Sequence, residues 1–120
     1  MKRKIESVTI GIAVKNVTEA TQWYKSLLGD VEIIEPEPGT IELRLTDNTW
    51  LQLDDSGYLE VGGGSSIIRM ETDDIDKAHE LARKLTVDVE DIVTVEGVVK
   101  YFDFKDIAGN RLSFVQLLDT

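Results

Sequence analysis

The sequence predicts an α+β protein built from two βαβββ modules, and three observations carry that expectation. The stretch Val8–Asn16 recurs at Ser66–Asp74, an offset of 58 residues. Each copy runs from alternating apolar residues into a capping residue and then into an apolar helical stripe, the change of period from two to 3.6 that marks a strand entering a helix. Each copy is followed by further alternating segments, and a glycine-rich stretch separates the two halves.

In the first half Val8, Ile10, Ile12 and Val14 alternate with small or polar residues, as in a strand with one buried face. Asn16 caps the helix that follows, with Glu19 three residues on completing a capping box. Val17, Ala20, Trp23, Tyr24, Leu27 and Leu28 fall on one face before Gly29 ends the helix. Val31–Ile34 reads as a strand terminated by Pro36 and Pro38. Thr40–Leu45 alternates, with Ile41, Leu43 and Leu45 on one side and Glu42 and Arg44 on the other. Asp47-Asn48 signals a hairpin into Trp50–Leu53.

Gly57 to Ser66, containing Gly62-Gly63-Gly64, reads as a connector. It is not a phosphate loop, because no Lys-Ser/Thr follows and the next element is a strand. In the second half Asp74 takes the cap, and Ile75, Ala78, Ala82 and Leu85 repeat Val17, Ala20, Tyr24 and Leu27. Val87–Val95 is valine-rich without clear strand limits. Gly97 opens Val98–Phe104, the stretch Asp106–Asn110 turns, and Arg111–Leu118 closes the chain. The expected organisation is one domain over residues 1–120, with module 1 at about 5–56, a connector at 57–65 and module 2 at about 66–118.

Composition excludes several function classes. The chain has 42% hydrophobic and 30% charged residues and a net charge of −10. That charge argues against nucleic acid or an anionic membrane as partner, since both need clustered Lys and Arg. No apolar run approaches the roughly 18 residues of a membrane span, and Glu6 and Lys15 interrupt the segment after the basic start, so a secretory signal is not expected. The absence of cysteine excludes disulfides, thiolate metal sites and thiol nucleophiles, and fits a cytoplasmic location. The acidic surface serves solubility and is compatible with a cationic ligand.

Two motifs carry a family resemblance. Ile12-Ala13-Val14-Lys15-Asn16-Val17 followed by Trp23-Tyr24-Lys25-Ser26-Leu27-Leu28-Gly29 resembles the "V-x-D … F-Y-x-x-x-L-G" signature of the vicinal oxygen chelate superfamily, the glyoxalase, bleomycin-resistance and dioxygenase family. Phe104-Lys105-Asp106-Ile107-Ala108-Gly109-Asn110-Arg111-Leu112 resembles its "F-x-D-P-D-G-N-x-L". The resemblance covers nearly the whole chain. It implies that the eight strands form a mixed sheet curled around a cavity, with the helices outside. In metal-dependent members one ligand stands on the first and one on the last strand of each module, which places those positions at Thr9, Gln52, Ile67 and Ser113 here. None is His or Glu. Isoleucine cannot ligate, and Thr, Gln and Ser are weak neutral donors, so no metal and no other cofactor is expected.

Strand alternation nominates the cavity lining. If Ile10, Ile12, Leu43, Leu51, Ile68 and Met70 face the helices, then Thr9, Gly11, Ala13, Glu42, Arg44, Trp50, Gln52, Ile67, Arg69, Glu71, Arg111 and Ser113 face the other way, together with Val115 and, if the strand parity holds, Tyr101 and Asp103. Gly11 and Ala13 leave room, Trp50 offers a stacking surface, and Arg44, Arg69 and Arg111 could pair with a carboxylate or phosphate. Equally, Glu42, Arg44, Arg69 and Glu71 could simply neutralise one another across neighbouring strands. Asp54, Asp55 and Glu60 match no calcium-loop spacing and read as a solvated loop. The single histidine, His79, falls at the edge of the second helix's apolar stripe and reads as a packing residue.

Three functions remain open on this basis. The first is a metal-independent small-molecule binding protein similar to the bleomycin-resistance branch, with Thr9, Glu42, Arg44, Trp50, Gln52, Arg69, Glu71, Tyr101, Arg111 and Ser113 contacting the ligand. The second is a glyoxalase-like lyase or isomerase using Glu42, Glu71 or Tyr101 as acid or base. The third is an interaction module without a working pocket. The expected partners are a small molecule and a second copy of the chain, in a homodimer.

Overall fold

The structure, a computed structural model, describes residues 3–62 and 65–118. Gly63 and Gly64 of the glycine-rich connector lie outside the described residues. Among the described residues are ten elements: β1 (Val8–Ala13), α1 (Val17–Leu28), β2 (Ile33–Glu37), β3 (Thr40–Thr46), β4 (Thr49–Asp54), β5 (Ile67–Glu71), α2 (Ile75–Leu85), β6 (Val93–Val95), β7 (Val99–Lys105) and β8 (Arg111–Leu117). They fall into two compact units that divide at Gly62. Each unit is a βαβββ module with a four-stranded mixed sheet, ordered β1-β4-β3-β2 in the first and β5-β8-β7-β6 in the second. The first and last strands of each module pair in parallel, β1 with β4 and β5 with β8, and the other pairs are antiparallel.

Both helices start where the caps place them. The Asn16 side chain accepts from the Glu19 N–H at 2.8 Å, and the Asp74 carboxylate accepts from the Lys77 N–H at 3.1 Å, each satisfying one of the free donors of a first turn. Gly29, at φ 82°, ends α1 in a conformation that a Cβ would strain. A further cap comes from the end of the last strand in each module, from the residue just after β4 and from within β8. The Asp55 carboxylate takes the Val17 N–H at 2.8 Å, and the Gln116 side-chain oxygen takes the Ile75 N–H at 3.0 Å. These two residues occupy equivalent places, three positions beyond Gln52 and Ser113, so the repeat extends to how the helix is fastened to its sheet.

The core of the first module joins Val17, Ala20, Trp23, Tyr24 and Leu27 of α1 to Leu43, Leu51 and Leu53 of the sheet, all buried. In the second, Ile75, Ala78 and Ala82 of α2 meet Phe102, Phe104, Leu112 and Phe114. Phe104 and Phe114 stack at 5.7 Å, and the His79 ring stands edge-on to Phe102 at 4.7 Å. His79 Nε2 lies 2.9 Å from the Glu90 carbonyl, so that nitrogen carries the proton and donates. His79 thus joins α2 to the segment that follows it.

Two strands depart from expectation. Strand β2 begins at Ile33 and runs through Pro36 to Glu37, where the alternation ended it before the proline. It is an edge strand with a register shift between Ile34 and Glu37, and a residue without an N–H is tolerated at such a place because no partner waits for its donor. Of the valine-rich stretch only Val93–Val95 is a strand. Upstream, Val89 makes one isolated bridge to Phe104, supported by Glu90 N–H to the Asp103 carbonyl at 2.9 Å and Lys105 N–H to the Asp88 carbonyl at 3.1 Å. No helix among the described residues is long and apolar enough to cross a membrane.

Candidate functional site

Each sheet has one face against its helix and one face turned away from it, and the nominated residues sort onto the second face as alternation requires. In module 1 the register pairs Thr9 with Trp50, Gly11 with Gln52, Glu42 with Gln52 and Arg44 with Trp50, while the intervening Leu43, Leu51 and Leu53 are buried under α1. In module 2 it pairs Ile67 with Arg111, Arg69 with Ser113, Glu71 with Val115, Asp103 with Ser113 and Tyr101 with Val115. Phe102 and Phe104 are buried on the helix side, which settles the parity of β7 and puts Tyr101 and Asp103 on the helix-free face.

Each face carries an arginine over an aromatic ring. The Arg44 guanidinium stands 5.6 Å from the centre of the Trp50 ring, and that of Arg69 stands 5.6 Å from the centre of Tyr101. These are cation–π distances, and they keep one ring face occupied by a charge that is itself fixed. Arg44 is fixed by Glu32 Oε1 at 3.3 Å and the Asp47 carbonyl at 2.9 Å. The bond to Asp47 also ties down the hairpin whose register shifts between Arg44 and Thr46. The Arg44 Nε is buried and has no acceptor.

Arg69 is held differently. Its Nη1 donates to Ser113 Oγ at 3.2 Å and stands 3.7 Å from Asp103 Oδ1. Ser113 is fully buried, and its hydroxyl donates to the Phe102 carbonyl at 3.1 Å. One proton and one accepting position of Ser113 are therefore both in use, and its hydroxyl is a fixed support under the guanidinium. Asp103 Oδ1 is buried and accepts no hydrogen bond.

The carboxylates and arginines do not pair as mutual neutralisation proposes. Glu42 accepts from Gln52 Nε2 at 2.9 Å, and the arginines turn to Glu32 and Asp103. Glu32 was not legible as a partner because it lies just before β2, whose bounds the sequence misplaced. Exposed Glu71 stands across from Val115, and Arg111 donates from Nη1 to the Ser65 carbonyl at 2.8 Å. The room expected beside Gly11 is taken up by Leu59, whose Cδ1 lies 3.4 Å from where a Cβ would stand, and Ala13 is buried.

At the four positions where metal-dependent members carry ligands, Gln52 and Ser113 are engaged in hydrogen bonds and Ile67 has no donor atom. Thr9, exposed on β1, supplies one neutral hydroxyl. This donor set does not fit a divalent catalytic ion. Among the described residues no three His, Cys, Asp or Glu side chains come together in a way that could hold a metal ion. Asp54 and Asp55 are engaged separately. Asp54 Oδ1 accepts from the Ser56 hydroxyl at 2.6 Å and the Ser56 N–H at 2.7 Å, bonds that hold the carboxyl below its ordinary pKa against the opposing cost of burial, while Asp55 caps α1.

No family model matches the sequence, and no curated protein sequence matches it. Solved structures do match along its length. An antibiotic-binding protein, TnmS3, from Streptomyces superimposes with a TM-score of 0.77 at 18% identity, covering 98% of this chain and 99% of its own. A glyoxalase/bleomycin resistance protein from Catenulispora acidiphila matches with a TM-score of 0.73 at 20% identity, over 94% and 99% of the two chains. A lactoylglutathione lyase from Agrobacterium tumefaciens matches with a TM-score of 0.73 at 16% identity, over 96% of each. Identities this low establish a shared fold, that of the glyoxalase, bleomycin-resistance and dioxygenase proteins, and leave the chemistry to be argued from the site.

Proposed function

We propose that this chain, which has the glyoxalase/bleomycin-resistance/dioxygenase fold, binds a small molecule without a metal ion and acts by holding it. The observation that carries this reading is the arginine-over-aromatic arrangement on the helix-free face of each sheet, Arg44 on Trp50 and Arg69 on Tyr101. Each combines a flat apolar surface with a fixed cation, which suits a planar or carboxylate-bearing ligand. Thr9, Glu42, Gln52, Glu71 and Arg111 complete the proposed contact set, and Ser113 acts through Arg69. The antibiotic-binding neighbour supports a binding role of this kind. The lyase neighbour keeps catalysis in view, but the donor set at Thr9, Gln52, Ile67 and Ser113 speaks against the metal-assisted form of it.

A homodimer is part of the proposal. The equivalent edge strands of the two modules, β2 and β6, both expose apolar side chains, Ile33 and Ile34 in one and Val93 and Val95 in the other, and such edges invite pairing. Sedimentation at micromolar concentration is expected to give twice the chain mass, and a clean monomer would remove the dimer from the proposal. The binding reading is tested by elemental analysis of protein purified without chelator, followed by a thermal-shift screen of metabolites and cationic drugs on the metal-free protein. The expected result is less than a tenth of a metal equivalent, by order of magnitude, together with a compound that raises the melting temperature. A tightly held zinc, nickel, iron or manganese ion in every chain would overturn it.

A further inference from the structure

A cleft of about 330 Å³ lies in module 2, where residues 87–90 run beside the end of β7. That volume sits at the lower end of the range of small-ligand pockets, roughly 300–1,000 Å³. Its lining combines Asp88, Glu90 and Asp103 with Lys105 and Arg111, over an apolar contribution from Phe104. No part of this cleft was nominated by the alternation of the strands except Arg111 and, through β7, Asp103. Asp88 and Glu90 belong to the segment that runs beside β7 without forming a strand.

We propose that this cleft binds a small zwitterion, its ammonium group on Asp103 with Glu90 and Asp88 nearby and its carboxylate toward Lys105 and Arg111. The inference deepens the binding function proposed above and rests on it, since Asp103 belongs both to this cleft and to the Arg69 cluster.

Three features of the chemistry lead there. Asp103 and Lys105 are two residues apart on one strand, so they share a face and their backbones stand about 6.5–7 Å apart, a spacing that opposite charges a few bonds apart in one small molecule can bridge. The Asp103 carboxylate is under-used. Its Oδ1 is buried and accepts no hydrogen bond: Arg69 Nη1 faces it as an ion pair at 3.7 Å, beyond hydrogen-bond distance, and is drawn toward Ser113 at 3.2 Å, while the Ser113 hydroxyl donates to Phe102. The accessible part of this carboxylate is where a ligand N–H would arrive, and a part-buried carboxylate without a hydrogen-bond donor gains more from one than a fully solvated carboxylate does. The other end of the cleft has its cations partly prepared. Arg111 is anchored through Nη1 to the Ser65 carbonyl, which leaves its remaining N–H groups for a ligand, and Lys105 is exposed and has a flexible ammonium. Three carboxylates against two cations leave an acidic excess that matches the −10 charge of the whole chain, so a ligand with the ammonium alone would bind more strongly than one with the carboxylate alone.

The test uses the full chain, isotopically labelled, titrated with three probes: L-leucine, its decarboxylated amine and its N-acetylated acid. The expected result is saturable movement of the backbone amides of residues 87–90 and 103–105 with L-leucine, weaker binding of the amine, and weaker still of the acetylated acid. Asp103→Asn and Lys105→Met should each weaken L-leucine by about tenfold or more while the amide spectrum elsewhere stays folded. Two results overturn the proposal: no movement at 87–90 and 103–105 with any probe, or equal binding of the zwitterion and the acetylated acid. Its failure is separable from failure of the function proposed above. If a screened compound still moves residues around Arg69 and Tyr101 or around Arg44 and Trp50 while 87–90 stay still, only the cleft is refuted.

Discussion

The two modules share a topology and divide the work of filling it in opposite ways. In the first, the helix brings the bulk, Trp23 and Tyr24, and the sheet answers with leucines at 43, 51 and 53. In the second, the helix is thin, with Ala78 and Ala82, and the sheet supplies Phe102, Phe104 and Phe114. The apolar patterning is kept between the halves while the element that carries the large side chains is exchanged, as expected where helix and sheet fill one shared interior. The helix-free faces differ too. Arg44 and Trp50 are direct cross-strand partners, whereas Arg69 reaches Tyr101 across β8 and leans on the buried Ser113 as it does so. A βαβββ unit thus constrains where bulk and charge must go, and leaves open which element provides them.

The largest expected effect tests the exchange of bulk directly. Phe102→Ala should destabilise the protein by about 3–5 kcal/mol, since the ring is fully buried against Phe104, Phe114 and His79. Leu51→Ala on the first sheet should cost about 2–4 kcal/mol, with the heavier loss in that module reserved for Tyr24→Ala on the helix. Urea denaturation measures all three. A first module more sensitive at Leu51 than at Tyr24 would break the comparison.

The helix fastenings differ in charge and should differ in salt response. Asp55→Ala should cost about 1 kcal/mol, because it removes a carboxylate from the positive end of α1, and Gln116→Ala somewhat less, because its partner bond is neutral. Adding salt should narrow the gap between the two variants, since only the Asp55 interaction is screened. An unchanged gap at high salt would mean that the charge of Asp55 contributes nothing.

A smaller effect follows from Asp54. Its two bonds from Ser56 hold its folded pKa below the ordinary 3.8, so the folded state favours the ionised form. The stabilisation is complete above the ordinary value and is lost as the pH falls through the depressed one. Asp54→Asn should therefore lower stability at neutral pH and flatten the acid limb of the stability curve, as measured by denaturation midpoints from about pH 5 downward. An acid limb as steep as that of the parent protein would place the pH dependence elsewhere.

Much of this was legible in the sequence, for identifiable reasons. The helices and most strands were visible because caps, glycines and alternation agree locally, as at Asn16, Gly29 and Leu43 to Leu45. Which residues of the other strands share the helix-free face followed from parity, while the parity of β7, and with it the place of Tyr101 and Asp103, needed the burial of Phe102 and Phe104. What the sequence hid depends on tertiary placement. Pro36 reads as a strand breaker until β2 is known to be an edge, and Gly11 reads as open space until Leu59 is seen beside it. The roles of Asp55, Gln116 and Glu32 rest on bonds to residues 12 to 41 positions away, which no local pattern announces. Ser113 looked like a ligand contact, and its complete burial makes it a support for Arg69 instead.

The central claim is that residues on the helix-free faces serve a ligand and residues on the opposite faces serve the fold. Calorimetry and thermal melting of Trp50→Ala, Arg69→Ala and Ile12→Ala, with the compound that most raises the parent's melting temperature, test it together. The expected result is a loss of roughly 1–3 kcal/mol of binding for Trp50→Ala and a similar loss for Arg69→Ala at nearly unchanged stability, against lowered stability and intact binding for Ile12→Ala. Normal binding by the first two variants, with melting temperatures that fall as far as that of Ile12→Ala, would contradict the account.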